Sequence, residues 1–274
     1  MPRKRLTVHM VVRNEDRFIW YSLQSVLPFA QKVLITDTGS TDKTVDIIRT
    51  INSKKIDFNI VKIHNASEIS RIRQEQLEKT NTDWIWVVDG DEIYPRNLCE
   101  EILDIINKKG KKLEGIIVKR IELLGDVYHR QEDSVGSYEL FGKKGHFVIR
   151  LLNKANIAGL HIEGIYPLEG YYGKDGIEVI HRNANHYAKT HGSLFHCVYL
   201  QRSTQDNKLP DTFNRTKFKI EKGQPHIQNT VLPEVFYHKH PSFVPTVTNK
   251  RSIVYELLAG LFTPIKQLKR KIML

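Results

Sequence analysis

Cysteine is scarce in this chain: of 274 residues only Cys99 and Cys197 carry thiols, far apart and without a Cys/His cluster at metal spacing. That excludes a disulfide framework and a structural zinc site, and it fits a reducing, cytoplasmic setting. Long hydrophobic runs are missing as well. No segment reaches the roughly 20 apolar residues of a spanning helix. The opening "MPRKRLTVHMVV" is basic, with a short apolar run and no small-residue cleavage site, and reads as a first strand instead of a signal peptide. Acid is in deficit, with 31 Asp and Glu against 42 Lys and Arg and a net charge of +11. The excess calls for an anionic partner, and charge alone leaves nucleic acid, an acidic membrane surface and a phosphorylated small molecule open. There is no internal repeat, low-complexity tract or nucleic-acid signature.

What is present reads as a soluble α/β protein with one principal domain and an appendage, at 40% hydrophobic and 27% charged residues. "LTVHMVV" (6–12), "KVLITD" (32–37), "FNIVKI" (58–63) and "WIWVVD" (84–89) are expected strands. Helices are expected over 15–27, after the "TGSTD" turn, and in "SEISRIRQEQLEKT". Strand and helix in alternation predict a mostly parallel sheet covered by helices on both faces, which binds ligands at the C-terminal ends of its strands. Beyond Pro95 the pattern predicts a helix to about 109, a strand in "LEGIIVKRIEL", an irregular stretch over 125–150 and the apolar "HFVIRLL". A strand and loop are expected over 177–187 and a helix over 193–202. Residues 207–248 read as a loop-rich extension. The apolar stretch 253–265, followed by Lys266, Lys269, Arg270 and Lys271, predicts a basic amphipathic helix over about 249–272. It suits peripheral contact with an anionic membrane surface, or docking on the domain with a solvated basic tail.

The chemistry gathers at the strand ends. In "WIWVVDGDEIYP" an apolar strand runs into Asp89, Asp91 and Glu92. Extended residues i and i+2 share a side, so Asp89 and Asp91 face one ligand across Gly90 and suit a hard divalent cation, Mn²⁺ or Mg²⁺. The same letters are also a turn signal, with Pro95 placed as a first helical residue. Asp37 ends the second strand, where its carboxylate can accept from a nucleobase N–H or a ribose hydroxyl, or cap its own turn. Asn14 and Glu15 follow the first strand, and Arg73 lies on a helix able to reach a phosphate.

The run "VVRNEDRFIWYSLQSVLPFAQKVLITDTGSTDKTVDIIR", followed by "SRIRQEQLEKTNTDWIWVVDGDE", resembles the GT-A-fold (Rossmann-like) family 2 glycosyltransferases over about residues 6–122. The resemblance implies that the backbone from Val11 through Val12 to Asn14 lines the nucleobase, with Glu15 flanking it. Asp37 contacts the base, Arg73 the nucleotide, Asp89 the ribose or the water shell of the metal, and Asp91 the metal itself. His186, in "NANHYAKTHGS", stands where related sequences place a histidine that approaches the metal. The family's Gly-x-Val-His-Glu stretch is replaced here by "GLHIEGIYPLEG", with Tyr166 and Pro167 in the His-Glu position. The catalytic base is therefore assigned first to Glu163 and second to Glu169.

These readings imply a metal-dependent, inverting transfer of a sugar from a nucleoside diphosphate donor, with UDP as the nucleotide, in cell-envelope or surface glycan synthesis. The acceptor is a glycan or lipid-linked saccharide, and nucleic acid is not a partner. Residues 1–206 form the transferase domain (1–122 for the nucleotide, 123–206 for the acceptor), and 207–274 the extension. The protein is expected in the cytoplasm or at the inner face of the membrane. A nucleotidyltransferase is the alternative enzyme, but "RNEDRF" is not a glycine-rich, lysine-bearing phosphate loop. A non-catalytic nucleic-acid or glycan-binding protein is the alternative from another class.

Overall fold

The structure is a computed structural model that describes residues 6–204, 219–226 and 230–272. Its first half alternates β1 (Leu6–Val12), α1 (Ile19–Val26), β2 (Lys32–Asp37), α2 (Thr44–Thr50), β3 (Ile56–Ile60), α3 (Glu68–Glu78) and β4 (Trp84–Val87). The short β5 (Glu92–Ile93) leads into α4 (Arg96–Lys109). Then come β6 (Gly115–Leu124), β7 (Asp126–Arg130), the hairpin of β8 (Tyr138–Leu140) with β9 (Lys143–Gly145), and β10 (Phe147–Asn153). A second hairpin joins β11 (His161–Glu163) to β12 (Gly170–Tyr172), before the long β13 (Tyr187–Tyr199), β14 (Gln224–Pro225) and α5 (Ile253–Ile272).

The main sheet has the order β14-β7-β6-β10-β4-β1-β2-β3, with β13 pairing β6 and β5. The four N-terminal strands are mutually parallel, as the helical crossovers require. Val12 aligns with Asp37 and Asp37 with Ile60, so three strands end at one edge. Strand β10 runs antiparallel between β4 and β6, which gives β6 the direction of β4 and brings its end to the same edge. Strand β4 is buried on both faces: Trp84 and Trp86 join the larger core with Leu98, Cys99 and Ile102 of α4. Ile85 and Val87 join a second cluster with Leu77 of α3. A central strand covered on both sides has no polar face, which is why its sequence does not alternate.

The irregular stretch over 125–150 resolves into β7 and the β8–β9 hairpin. Four further expectations are corrected. Residues 193–202 are not helical, since 193–199 belong to β13. Leu194 to Cys197 are buried there, and β6 and β5 supply the backbone partners. A short apolar run carries no period that separates strand from helix, and tertiary pairing decided it. Residues 177–187 hold two single 3₁₀ turns, the second capped by the Asn183 side chain accepting from the Asn185 N–H. Helix α1 starts at Ile19 because Asn14 and Glu15 are tied to the following loop, as described below. Pro95 stands just before α4, which begins at Arg96.

Residues 233–247 pack on α1: the Tyr21 ring meets Phe236 edge-on at 5.8 Å, and its hydroxyl donates to the Pro245 carbonyl at 3.0 Å. The boundary expected at 206/207 lies outside the described residues. Gly125, with φ +79° between β6 and β7, leaves room for α5, since a Cβ there would lie 2.7 Å from the Tyr255 ring.

Candidate functional site

Three loops leave the sheet edge and are bound to one another before any ligand is considered. Asn14 has φ 51°, and in that left-handed turn its N–H donates to Ser40 Oγ at 2.8 Å while its Oδ1 accepts from the Thr41 N–H at 2.8 Å. The Glu15 N–H donates to Thr44 Oγ1 at 2.8 Å. Asp37 is fully buried, its Oδ1 accepting from the N–H groups of Gly39 and Ser40 at 3.0 and 2.9 Å and its Oδ2 from the Ser40 hydroxyl. Those contacts are an Asx-turn, so here Asp37 shapes the loop. The Val12 carbonyl accepts from Thr38. Gly90 lies against this assembly. A Cβ there would come within 2.9 Å of Glu15 Cγ and 3.2 Å of Val12 Cγ1, which is why the residue between the two aspartates has no side chain.

The carboxylates at the edge are matched by arginines from distant elements. Arg150 Nη2 donates to Asp89 Oδ2 at 2.7 Å and to the Glu92 carboxylate, which is wholly buried. The ladder between β10 and β6 skips Arg150, pairing Ile149 with Ile117 and Leu151 with Ile116, and this bulge re-aims its side chain. Burial pushes the Glu92 carboxyl up, and Arg150 is the chief influence holding it down. Arg73 of α3 lies 3.8 Å from Asp89 Oδ1 and 3.3 Å from Glu169 Oε1. Arg202 reaches Asp91 Oδ2 at 3.2 Å and Glu15 Oε1 at 3.4 Å.

Asp91 has a second neighbour. His196 Nε2 lies 3.6 Å from Asp91 Oδ2, and its Nδ1 lies 2.7 Å from Glu122 Oε2. Burial disfavours the imidazolium, but Asp91 and Glu122 on its two sides outweigh burial and raise its pKa. Burial likewise works against the Glu122 carboxylate, yet His196 and Arg120 hold it down at about 2.

A family model for glycosyl transferase family 2 matches residues 7–161, more than half of the 274 residues. The chain belongs to glycosyl transferase family 2. Relatives of this family 2 chain include the SPbeta prophage-derived glycosyltransferase SunS of Bacillus subtilis, 32% identical over 94 residues, 33% of this chain and 21% of SunS. An uncharacterized glycosyltransferase of Rickettsia bellii is 27% identical over 153 residues, 55% of this chain and 47% of that protein. The chain thus spans less than half the length of these curated relatives. Among solved structures, S. aureus TarS 1-349 in complex with UDP-GlcNAc is similar with TM-score 0.49 at 14% identity, covering 70% of this chain and 58% of that one.

Of the residues expected at the site of this family 2 chain, Val12, Asn14, Glu15, Asp37, Asp89 and Asp91 stand at one sheet edge, and Arg73 reaches Asp89. His186 does not join them. It precedes β13 at the start of β6, the opposite end of the sheet, with Nδ1 3.2 Å from Glu114 Oε1. The histidine beside Asp91 is His196, hidden from the sequence reading because 193–202 was expected to be a helix. Glu163 is solvent-facing on β11 and bonded to His161 Nε2 at 2.7 Å, whereas Glu169 is nearly buried on Arg73. Glu169 Oε2 is buried with no hydrogen-bond partner. Arg150 left one trace, a lone cation inside "VIRLL"; Arg202 left none. Among the described residues no group of three acidic, imidazole or thiol side chains forms a ready metal cage. The donor set fits a partly protein-held cation all the same. Asp91 offers oxygen, and His196 Nε2 offers nitrogen beside it once a cation displaces the proton that the flanking carboxylates favour; Mg²⁺-type ions commonly take one or two carboxylates and fill the remainder with water and phosphate.

Proposed function

We propose that the chain transfers a sugar from a nucleoside diphosphate, with UDP as the nucleotide, to an acceptor hydroxyl with inversion at the anomeric carbon. The observation that carries this reading is that Arg73 of α3 joins Asp89 of the β4–β5 turn to Glu169 of the β11–β12 turn, with Asp91 two residues from Asp89, at the edge where parallel α/β sheets bind ligands. Membership of family 2 supports the reaction class. Residues 1–122 hold the donor and 123–206 shape the acceptor side, with a glycan or lipid-linked saccharide of the cell envelope as acceptor.

Glu169 is the base in this reading, in place of Glu163. Arg73 fixes one of its oxygens at 3.3 Å and the other has a lone pair to spare in a site shielded from water. The acceptor hydroxyl gives its proton to Glu169 Oε2 and its oxygen bonds to the anomeric carbon. The bond from that carbon to the diphosphate oxygen breaks on the opposite face, and the nucleoside diphosphate departs. Arg73, Arg150 and Arg202 bring fixed positive charge to that departing group. Asp91 and His196 would hold the divalent cation, which when bound neutralises diphosphate charge. Asp37 and Asn14 hold the loop on which the base rests.

The test is calorimetric titration of UDP, GDP and dTDP sugars with and without Mn²⁺, with donor hydrolysis followed in parallel, for wild type and Asp91→Ala. One nucleotide binds, metal strengthens it, and Asp91→Ala weakens it. Metal-independent binding unaffected by the substitution, or salt-sensitive binding to nucleic acid with none to nucleotide sugars, overturns the proposal.

A further inference from the structure

Helix α5 has two unlike faces. On one, Tyr255 and Ala259 are buried against the domain, Thr263 Oγ1 accepts from the Lys222 N–H at 2.8 Å, and Arg270 clamps both oxygens of Glu221 at 2.7 and 2.6 Å. At about 100° per residue, Ile253, Leu257, Leu261, Ile265, Leu268 and Ile272 all fall on the other side. Their exposure runs from 60% at Leu268 to 80% at Ile253. A continuous stripe of this kind is unlike the scattered apolar residues of an ordinary surface and marks an interaction face. No helix among the described residues is long and apolar enough to cross a membrane.

Charge selects the occupant. Lys269 and Lys271 stand on opposite flanks of the stripe, and the helix's one acidic residue, Glu256, is held by Arg251 at 2.7 and 3.2 Å. A second copy seated on the stripe would bring no acid from its own α5 to meet those lysines. A surface of lipid phosphates meets both lysines at the C-terminal end of the stripe, and the chain's +11 charge favours the approach. We infer that α5 docks on an anionic bilayer, with its apolar stripe in the headgroup–acyl boundary and Lys269 and Lys271 on the lipid phosphates. The basic tail expected from the sequence is thus divided: Lys266, donating to the Ile220 carbonyl at 3.3 Å, and Arg270 belong to the docked face, while Lys269 and Lys271 flank the stripe.

The experiment is co-sedimentation of the full chain with phosphatidylcholine vesicles, with and without phosphatidylglycerol. The chain binds the anionic vesicles and is released by salt. The double variant Leu261→Glu/Ile265→Glu loses about tenfold or more in affinity, because two side chains no longer leave water. Lys269→Gln/Lys271→Gln loses about tenfold on anionic vesicles only. All four positions lie away from the docked face, so circular dichroism and the thermal midpoint stay at wild-type values. Absence of binding, equal binding to both vesicle types, or variants that bind like wild type overturns the inference. So does a dimer in sedimentation velocity that the Leu261→Glu/Ile265→Glu variant dissociates without any vesicle binding by the wild type.

Discussion

Replacing Arg150 by Met tests the charge arrangement at the sheet edge most directly. The substitution keeps an apolar stem of similar reach and deletes the guanidinium that holds Asp89 at 2.7 Å and the Glu92 carboxylate. Glu92 has no exposed surface, so the variant strands a carboxylate in the interior. Removing one partner of a buried ion pair costs about 3–5 kcal/mol. Burial already raises the Glu92 pKa and Arg150 opposes that rise, so the loss drives it further up. A carboxyl whose folded pKa exceeds its unfolded value favours the folded state at low pH, and that stabilisation is lost as pH rises through the folded pKa. The penalty of Arg150→Met is therefore smallest near and below the ordinary glutamate range, and grows toward neutral pH. Urea unfolding of wild type, Arg150→Met, Glu92→Gln and the double variant at acidic and neutral pH measures it. The double variant should recover at least about 2 kcal/mol relative to additivity, because the stranded charge is gone. Additive losses, or a single-variant loss below about 1 kcal/mol at neutral pH, refute the pairing.

Glu169→Gln should lower kcat by about a hundredfold to ten-thousandfold with the donor still bound, while Glu163→Gln leaves kcat near wild type; the reverse ranking returns the base to Glu163. Gly90→Ala places a methyl 2.9 Å from Glu15 Cγ, so a loss of about 1–3 kcal/mol in thermal or urea unfolding is expected, together with weaker donor binding. A neutral result would mean that Glu15 yields freely. His9 is buried on Thr80, 2.6 Å from its hydroxyl, and burial first, then Arg73 and Lys154, lowers its pKa to about 3. Its folded pKa lies below the unfolded value of 6.5, so stability is full above 6.5 and falls with acidification between 6.5 and about 3. The slope is about 1.4 kcal/mol per pH unit, and His9→Gln should remove that part of the pH dependence.

The parts of this architecture legible in the sequence are those whose causes are local. "KVLITD" and "WIWVVD" read as strands because a run buried on both faces is continuously apolar, and "TGSTD" reads as a turn because Asp37 and Ser40 bond within three residues of one another. The order of elements gave a parallel arrangement with its strand ends together. What those ends contact was beyond any local pattern. Arg150 comes to Asp89 across 61 positions and Arg202 to Asp91 across 111, and neither separation leaves a periodic trace. The strand that carries His196 is a strand only because β6 and β5 offer it hydrogen bonds, so the histidine beside Asp91 came into view when its partners were in place. The same limit applied to the two carboxylates considered for the base. Glu163 and Glu169 are alike in sequence, and burial against Arg73, which depends on where α3 lies relative to β12, is what separates them. By itself the sequence determined the layered sheet and the carboxylates at its edge, because hydrophobic period and turn chemistry act between near neighbours. The tertiary structure decided which cations and which imidazole face those carboxylates, because charge pairing and desolvation act through space.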